Sequence, residues 1–273
     1  GASASGFFGT AAASRGFSAG AGFASAGLAS GFAFCAFAAG MGSAGFATGF
    51  TSGGLAAGRR APGRGAVSEA KMRGTPATGI EAAVAARSLS AMKEEREAAE
   101  RAYGSPVRPI EGADRDVLLA DLEQALFAAK IAAYAQGFAV MRAASQEFEW
   151  DLPMATVARI WRAGCIIRSQ FLDTIAAAFE ARPELANLLV SPAFVSMVAK
   201  AEPSLRRVVA TAAAHGLAVP AISSALAYFD AYRLGRGTAN LIQAQRDFFG
   251  AHGFERIDAV GAHHGPWGGH MAG

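Results

Sequence analysis

Hydrophobic side chains recur every three or four residues through most of the chain after Pro76, which is the spacing of one face of an α-helix. The longest such stretch begins at Asp114, a residue suited to an N-cap, and is predicted to run to about Phe148. Its apolar stripe consists of Val117, Leu118, Leu122, Ala125, Leu126, Ala129 and Ala133. Its second half is nearly uncharged and rich in small side chains, which favours close helix packing in the middle of a domain.

Shorter helices are predicted on both sides of this long helix. Thr78 is a suitable N-cap for a helix from Ile80 to about Tyr103, which Gly104 and Pro106 end. Later helices are expected from Met154 to about Phe179, from Arg182, from Ser191, from Pro203 to Gly216, from Pro220 to Arg233 and from Ala239 to Phe249. No stretch alternates with a period of two for long enough to form a strand, so the sequence predicts an all-α body.

The first 68 residues differ in composition from the rest of the chain. They contain no Asp or Glu, and their four charged side chains are all arginine, so all 22 acidic residues lie from Glu69 onward. Dense glycine with few large side chains cannot offset the entropy of ordering the backbone, which predicts low order through about residue 73. We therefore divide the chain into a leader of residues 1–73, a helical body of residues 74–258 and a Gly- and His-rich tail of residues 259–273.

Three interpretations of the leader remain open. An acid-free, Ser- and Ala-rich start with arginines is typical of a transit peptide, which would place the protein in an organellar stroma or matrix rather than the cytoplasm. The second interpretation is that the leader is a mistranslated or misjoined segment whose sequence was never selected to fold. The third is a membrane span around residues 23–41, but glycines and serines interrupt the run of about 20 apolar residues that a span needs. We expect no membrane contact.

Charge and isolated motifs exclude several other functions. The net charge of +3 comes from the arginines of the leader, which gives no reason to expect nucleic acid. Cys35 and Cys165 lie on opposite sides of the composition boundary, so neither a disulfide nor a metal-ligand spacing is indicated. The stretch Gly40–Gly45 has the glycine spacing of a dinucleotide-binding turn, but at this glycine density the spacing arises by chance.

Several basic residues that could have catalytic or metal-binding roles are interpreted as structural. Lys130, within a run of alanines, is expected to reach solvent or to form a salt bridge. Arg162 is expected to pair with an acid or a helix end. His263, His264 and His270 lie in the tail with no further acid or cysteine beside them, which is a weak indication of a metal site.

Four separated blocks, taken in order, resemble the C-terminal domain of 6-phosphogluconate dehydrogenase (decarboxylating). The blocks are Ala125–Ile131 with Tyr134–Phe138, Trp161–Arg168, Pro220–Arg233 and Asn240–His252. The resemblance extends over about Gly74 to Asp258. It implies a large all-helical domain that forms a homodimer and provides most of the sugar-phosphate site, beside a Rossmann domain that binds NADP. The implied reaction oxidises 6-phosphogluconate and releases CO2 to give ribulose 5-phosphate.

The resemblance assigns substrate-binding roles to three residues. The segment Pro76 to Ser90 is similar to the family segment whose arginine binds the substrate phosphate, which gives that role to Arg87. A guanidinium suits this role because it can hold a phosphate bidentately, although an arginine at this spacing alone is more often an exposed helix residue. Arg246 and His252 match the arginine and histidine that reach from the tail of one subunit into the other subunit's site. The structural alternative for His252 is a capping histidine beside a buried aromatic pair.

The family's cofactor fingerprint, its catalytic lysine and its Lys-Gly-Thr-Gly-x-Trp segment are expected before Pro76, where this sequence has the leader instead. Hydride transfer needs a fixed acceptor, and decarboxylation needs an acid and a base within hydrogen-bond reach. We therefore expect that the chain by itself does not reduce NADP. Two hypotheses follow: the C-terminal portion of the enzyme, or a non-catalytic helical remnant that dimerises or binds sugar phosphates.

Overall fold

The computed structural model describes residues 62–162, 169 and 171–267. In chain order the helices are α1 Pro62–Met72, α2 Thr78–Ala91, α3 Lys93–Tyr103, α4 Arg115–Glu147, α5 Met154–Arg162, α6 Leu172–Ala181, a 3₁₀ turn Leu188–Val190, α7 Pro192–Ala214, α8 Pro220–Tyr232 and α9 Ala239–Gly250. Two short strands follow, β1 Phe254–Glu255 and β2 Ala262–His263. They pair antiparallel, with Phe254 opposite His263 and Glu255 opposite Ala262. The prediction of an all-α body is confirmed, with this small hairpin added at its C-terminal end.

Helix α4 is the element on which the other helices pack. It has 33 residues and is therefore about 50 Å long. The Asp114 side chain caps it, accepting hydrogen bonds from the backbone N–H groups of Asp116 at 2.8 Å and Val117 at 3.3 Å. Its second half is buried against α7 and α8, because Ala, Gly and Ser side chains there let neighbouring helices approach closely. Both the start of this helix and its central position are as predicted.

The predicted helix over residues 80–103 is in fact two helices. Met92, between α2 and α3, has the non-helical dihedrals φ −89° and ψ 56°, and its N–H bonds to the carbonyl of Leu89. All of α3 is exposed, so no packing against the core holds it in line with α2. The sequence pattern missed the break because both halves are made of good helix formers.

The prediction that a helix begins at Pro203 is wrong. Instead α7 continues through it. A proline inside a helix removes one hydrogen bond and costs about 3 kcal/mol. The flanking residues Ala201 and Leu205 are buried against Ala125 and Ala128 of α4, and this packing outweighs the loss.

The segment from Met154 to Phe179, predicted as one helix, also differs. Helix α5 is described as far as Arg162, Ser169 is not helical, and α6 begins at Leu172. The two helices pack on each other, and Arg162 pairs with Asp173 at 3.2 Å, which confirms the predicted acid partner of Arg162. Cys165 lies outside the described residues.

The helix expected from Arg182 is absent. Residues 183–184 form a turn, and the 3₁₀ turn follows, capped by Asn187, whose Oδ1 accepts from Leu189 N at 2.9 Å. The Asn187 amide also donates to the Tyr228 hydroxyl at 2.9 Å. These buried bonds tie the turn to α8, which a local sequence pattern does not reveal.

Helix α1 lies within the predicted leader, so the expectation of low order is wrong for residues 62–72. Ala66 and Ala70 are buried in the main core, where a small-residue face packs closely without large side chains. Arg73 follows the helix, pairs with Glu69 and Glu147, and lies with its guanidinium carbon 4.8 Å from the centre of the Phe148 ring. The transit-peptide, membrane-span and Gly40–Gly45 interpretations fall on residues outside the described part.

The predicted boundary between body and tail at residue 259 falls inside the hairpin, because β2 of the tail pairs with β1 of the body. Among the described helices, none is both long and apolar enough to cross a membrane.

Candidate functional site

The end of α9 presents the first two candidate residues. Arg246 is exposed, directly before the last turn of the helix, and donates to the Gln243 side-chain oxygen at 3.2 Å. Helix α9 ends at Gly250, one residue beyond the predicted end at Phe249, and the left-handed turn that follows uses Ala251 (φ 52°) and Gly253. His252 lies in this turn and is exposed.

The neighbouring aromatic pair is not buried, because Phe249 is 82% exposed. Its ring contacts that of Phe248 edge to face at 5.0 Å between centroids. The interpretation of His252 as a cap beside a buried aromatic pair is therefore wrong. Leu241 and Ile242 on the same helix are also exposed, at 66% and 58%. Within one chain this helix leaves much of its apolar surface in solvent.

Asp247 is the residue of this region that sequence reasoning did not mark. Its side chain is fully buried. One carboxylate oxygen accepts from Gly253 N at 2.8 Å and contacts His264 Nδ1 at 2.6 Å, and the other accepts from Gly265 N at 2.8 Å and Trp267 Nε1 at 2.6 Å. Burial alone would raise the pKa of Asp247, but the hydrogen bonds from these four groups outweigh it and hold that pKa well below its usual range. The buried carboxylate thus joins α9 to the chain that follows it.

Arg87 lies on a different element, the last part of α2. Its guanidinium is exposed and donates to Ser90 Oγ at 3.2 Å, and among the described residues it has no carboxylate partner. The start of α2 has no side-chain cap of its own at Ala77, but the buried Gln136 of α4 accepts a hydrogen bond from Gly79 N at 2.9 Å. Gln136 therefore supplies an N-terminal cap across the core and fixes the helix that carries Arg87.

The three candidate residues lie on two different elements. Arg246 and His252 share the end of α9, whereas Arg87 lies on α2, which packs against α1, α4 and α8. No hydrogen bond or ion pair among the described residues connects Arg87 with either of the other two.

The other residues singled out in the sequence, Lys130 and the described tail histidines, make packing or hydrogen-bond contacts within the fold. Lys130 is half-buried, and desolvation lowers its pKa. Its ammonium lies 5.5 Å from the centre of the Phe171 ring in a cation–π contact. Of the two predicted alternatives, solvent or a salt bridge, the salt bridge has no acid partner among the described residues. His264 bonds to Asp247, and His263 faces the Val260 carbonyl at 3.3 Å. His270 is outside the described residues, within which no group of three or more metal-binding side chains occurs.

Comparison with known proteins identifies relatives of this chain. Residues 56–267 match the family described as 6-phosphogluconate dehydrogenase, C-terminal domain. The NADP(+)-dependent decarboxylating 6-phosphogluconate dehydrogenase of Bacillus subtilis is 48% identical over 195 residues, which is 71% of this chain and 41% of that protein. The NAD(+)-dependent enzyme of the same organism is 44% identical over 194 residues, 71% of this chain and 42% of its own length. This chain thus spans about two fifths of these relatives.

A solved structure is also similar. It is that of Plasmodium falciparum 6-phosphogluconate dehydrogenase, described in its apo form, in complex with its cofactor NADP+ and in complex with its substrate 6-phosphogluconate. It matches with a TM-score of 0.72 at 37% identity, over 77% of this chain and 45% of that one.

Proposed function

The chain belongs to the 6-phosphogluconate dehydrogenase family, and we propose that it supplies the substrate-binding and dimer-forming part of an enzyme that oxidatively decarboxylates 6-phosphogluconate to ribulose 5-phosphate. The observation that carries this proposal is the family match over residues 56–267, a range that includes all three candidate residues. The position of those residues in exposed, polar surroundings supports it.

Arg87 is proposed to bind the phosphate of the substrate. A phosphate with two negative charges is recognised best by a guanidinium that has no competing carboxylate, and Arg87 meets that requirement among the described residues. The Gln136 cap holds α2 in place, so the position of the guanidinium depends on the core and not on a mobile loop.

Arg246 and His252 are proposed to bind the remaining oxygens of the sugar acid. Arg246 offers several N–H donors, of which one is used by Gln243. His252 can donate or accept through its ring nitrogens. Together they suit a substrate with hydroxyl groups and a carboxylate.

We propose that the complete site forms between two copies of the chain, which exchange their tails. The location of Arg87 on a different element from Arg246 and His252 supports this arrangement. So does the exposed apolar surface of α9, formed by Leu241, Ile242 and Phe249, because a lone chain gains nothing from leaving such side chains in water.

The cofactor proposed for the complete enzyme is NADP, a cofactor that hydride transfer would require as acceptor. The described residues do not fit a dinucleotide: they form helices and one two-stranded antiparallel hairpin, without the parallel βαβ unit that such a site uses. No chemical step through the cofactor is therefore assigned to them. Their role is to bind and orient the substrate.

Isothermal titration of the chain with 6-phosphogluconate tests this function. Removing a charge-assisted contact costs about 1.5–3 kcal/mol, so Arg87→Ala and the double variant Arg246→Ala/His252→Ala should each weaken binding by roughly 10- to 100-fold. Arg101→Ala, which removes an exposed arginine of α3, is the matched control and should bind as the unmodified chain does. Absence of binding, or equal binding by all four proteins, would overturn the proposal.

A further inference from the structure

Two buried or half-buried side chains of α9 hold the residue that follows His252. Gly253 donates its backbone N–H to Asp247 at 2.8 Å and accepts a hydrogen bond at its carbonyl from Gln243 Nε2 at 2.5 Å. Gln243 and Asp247 are four residues apart and therefore lie on the same face of the helix. Both polar groups of the Gly253 backbone are thus fixed by one helix face.

The backbone on either side of His252 is held in an uncommon conformation. Ala251 has φ 52° and Gly253 has φ 70°, both in the left-handed region. For Ala251 this conformation is unfavourable by about 1–2 kcal/mol without support from the surroundings. Hydrogen bonds from Ala251 N to the Asp247 carbonyl at 2.9 Å, and from Gly253 N to its carboxylate, provide such support.

The His252 ring is placed over Gly250. A Cβ atom at position 250 would lie 2.9 Å from Nε2 and 3.1 Å from Cδ2 of His252, which is closer than such atoms normally approach. A side chain at position 250 would therefore displace the His252 ring from this position.

The buried carboxylate also ties down the end of the described chain. His264, Gly265 and Trp267 contact Asp247 in addition to Gly253. Four groups around two oxygens use about the full acceptor capacity of a carboxylate. Such complete pairing is what a buried charge requires, and it makes Asp247 the point at which the turn and the hairpin are both anchored to α9.

We propose that Asp247, with Gln243, is a positioning residue that fixes the His252 ring relative to Arg246, and that Gly250 is the surface against which the ring is set. The inference rests on the proposed function, because it assumes that Arg246 and His252 contact a sugar phosphate. Arg246 directly precedes Asp247, so the residue that is anchored inward and the residue that faces the ligand are adjacent in the helix. The positions of the Arg246 and His252 side chains thus both depend on the buried carboxylate of Asp247.

The test uses the whole chain, labelled with ¹³C-histidine, and the variants Asp247→Asn, Asp247→Ala and Gly250→Ala. Asp258→Asn is the matched control, since Asp258 is an exposed aspartate between the two hairpin strands whose hydrogen bonds, among the described residues, are to Arg256 and its own backbone. In the unmodified chain we expect a nuclear Overhauser effect between the His252 ring and the Gly250 α-protons. It should weaken in Asp247→Asn, which keeps an acceptor oxygen, and vanish in Asp247→Ala.

Affinity for 6-phosphogluconate is measured on the same proteins. Asp247→Ala and Gly250→Ala should each lose at least about tenfold in affinity, while the helix content of the helical body stays unchanged. Gly250→Ala keeps Asp247 and favours the helix, so its loss of affinity would come from the displaced ring and not from unfolding.

The outcomes separate the two proposals. If Arg246→Ala/His252→Ala weakens binding but Asp247→Ala and Gly250→Ala do not, the positioning role is overturned and the proposed function stands. If no variant changes binding, the proposed function fails. Whatever the binding result, an Overhauser effect that persists in Asp247→Ala would overturn the positioning role.

Discussion

At the residue scale, the three candidate site residues could be found from the sequence because each lies in a short linear stretch that resembles a known family. Asp247 could not be found in this way. Its partners lie 6, 17, 18 and 20 residues further along the chain, and nothing in the local sequence shows that the chain returns to the helix.

Gln136 was missed for a related reason. It stands within a run of small residues whose pattern predicted close packing, and its partner is the backbone of Gly79, 57 residues earlier. The backbone N–H groups at a helix start are the same for every residue type except proline. A cap supplied by another helix therefore cannot be predicted from either segment alone.

Gln136→Met should therefore destabilise the chain. The lost acceptor leaves the buried Gly79 N–H without a partner, which costs about 1–3 kcal/mol. Removal of the Gln136 amide nitrogen, which is buried without a partner among the described residues, offsets part of this cost. We expect a net loss of about 1 kcal/mol in the free energy of unfolding, measured by urea denaturation. Gln124→Met, at an exposed position of the same helix, should have almost no effect, and equal effects of the two variants would contradict the assignment.

At the element scale, the long α4 and the helices α8 and α9 were predicted nearly to their ends, because periodicity, caps and glycine or proline boundaries agree there. The errors occurred where tertiary contacts override local signals. Pro203 remains inside α7 since its neighbours pack on α4, and α1 forms although its composition indicated low order.

Pro203→Ala tests how far packing overrides the proline. The residue is exposed, so the substitution restores a backbone donor within α7 without changing the core. The gain of up to about 3 kcal/mol is reduced by the greater freedom of the unfolded chain, roughly 0.4–1 kcal/mol. Thermal unfolding should therefore show stabilisation by about 1–2 kcal/mol. Pro220→Ala, at the first position of α8 where proline is favourable, should give no gain.

The contact between α4 and α7 includes a charged group that makes stability depend on pH. Asp121 accepts from Arg207 Nε at 2.8 Å and from Ser204 Oγ at 2.7 Å. These bonds, that of Arg207 first, lower the pKa of Asp121 from 3.8 to about 2. Because the folded state has the lower pKa, the stabilising contribution is fully present above pH 3.8 and is lost as the pH falls toward about 2.

Asp121→Asn should thus be less stable than the unmodified chain at neutral pH, and the difference should shrink as the pH is lowered from 3.8 to 2. Chemical denaturation at a series of pH values measures it. Glu123→Gln, at an exposed neighbouring position, should follow the unmodified chain throughout. A difference for Asp121→Asn that stays constant with pH would show that the ion pair does not act as described.

At the scale of the whole molecule, the fold class followed from the absence of any period-two pattern and from the order of the helical blocks. The division into leader, body and tail was less accurate. Helix α1 extends the packed structure to an earlier residue, and the β1–β2 hairpin extends it to a later one. Both additions depend on contacts between distant segments, which composition does not record.

At this scale we propose that the sugar-phosphate site combines Arg87 of one copy with Arg246 and His252 of the other. The measurement that tests it most directly is the number of high-affinity 6-phosphogluconate sites in a purified heterodimer. One chain carries Arg87→Ala and the other carries Arg246→Ala/His252→Ala, with different affinity tags. Each homodimer of these variants has only defective sites.

If the tails exchange, one site of the heterodimer contains Arg87 from the double variant and the tail of the Arg87→Ala chain, and the other contains all three substitutions. Calorimetric titration should then find one site per heterodimer with the affinity of the unmodified protein. A heterodimer with no site of that affinity, beside an unmodified homodimer with two, would contradict the account.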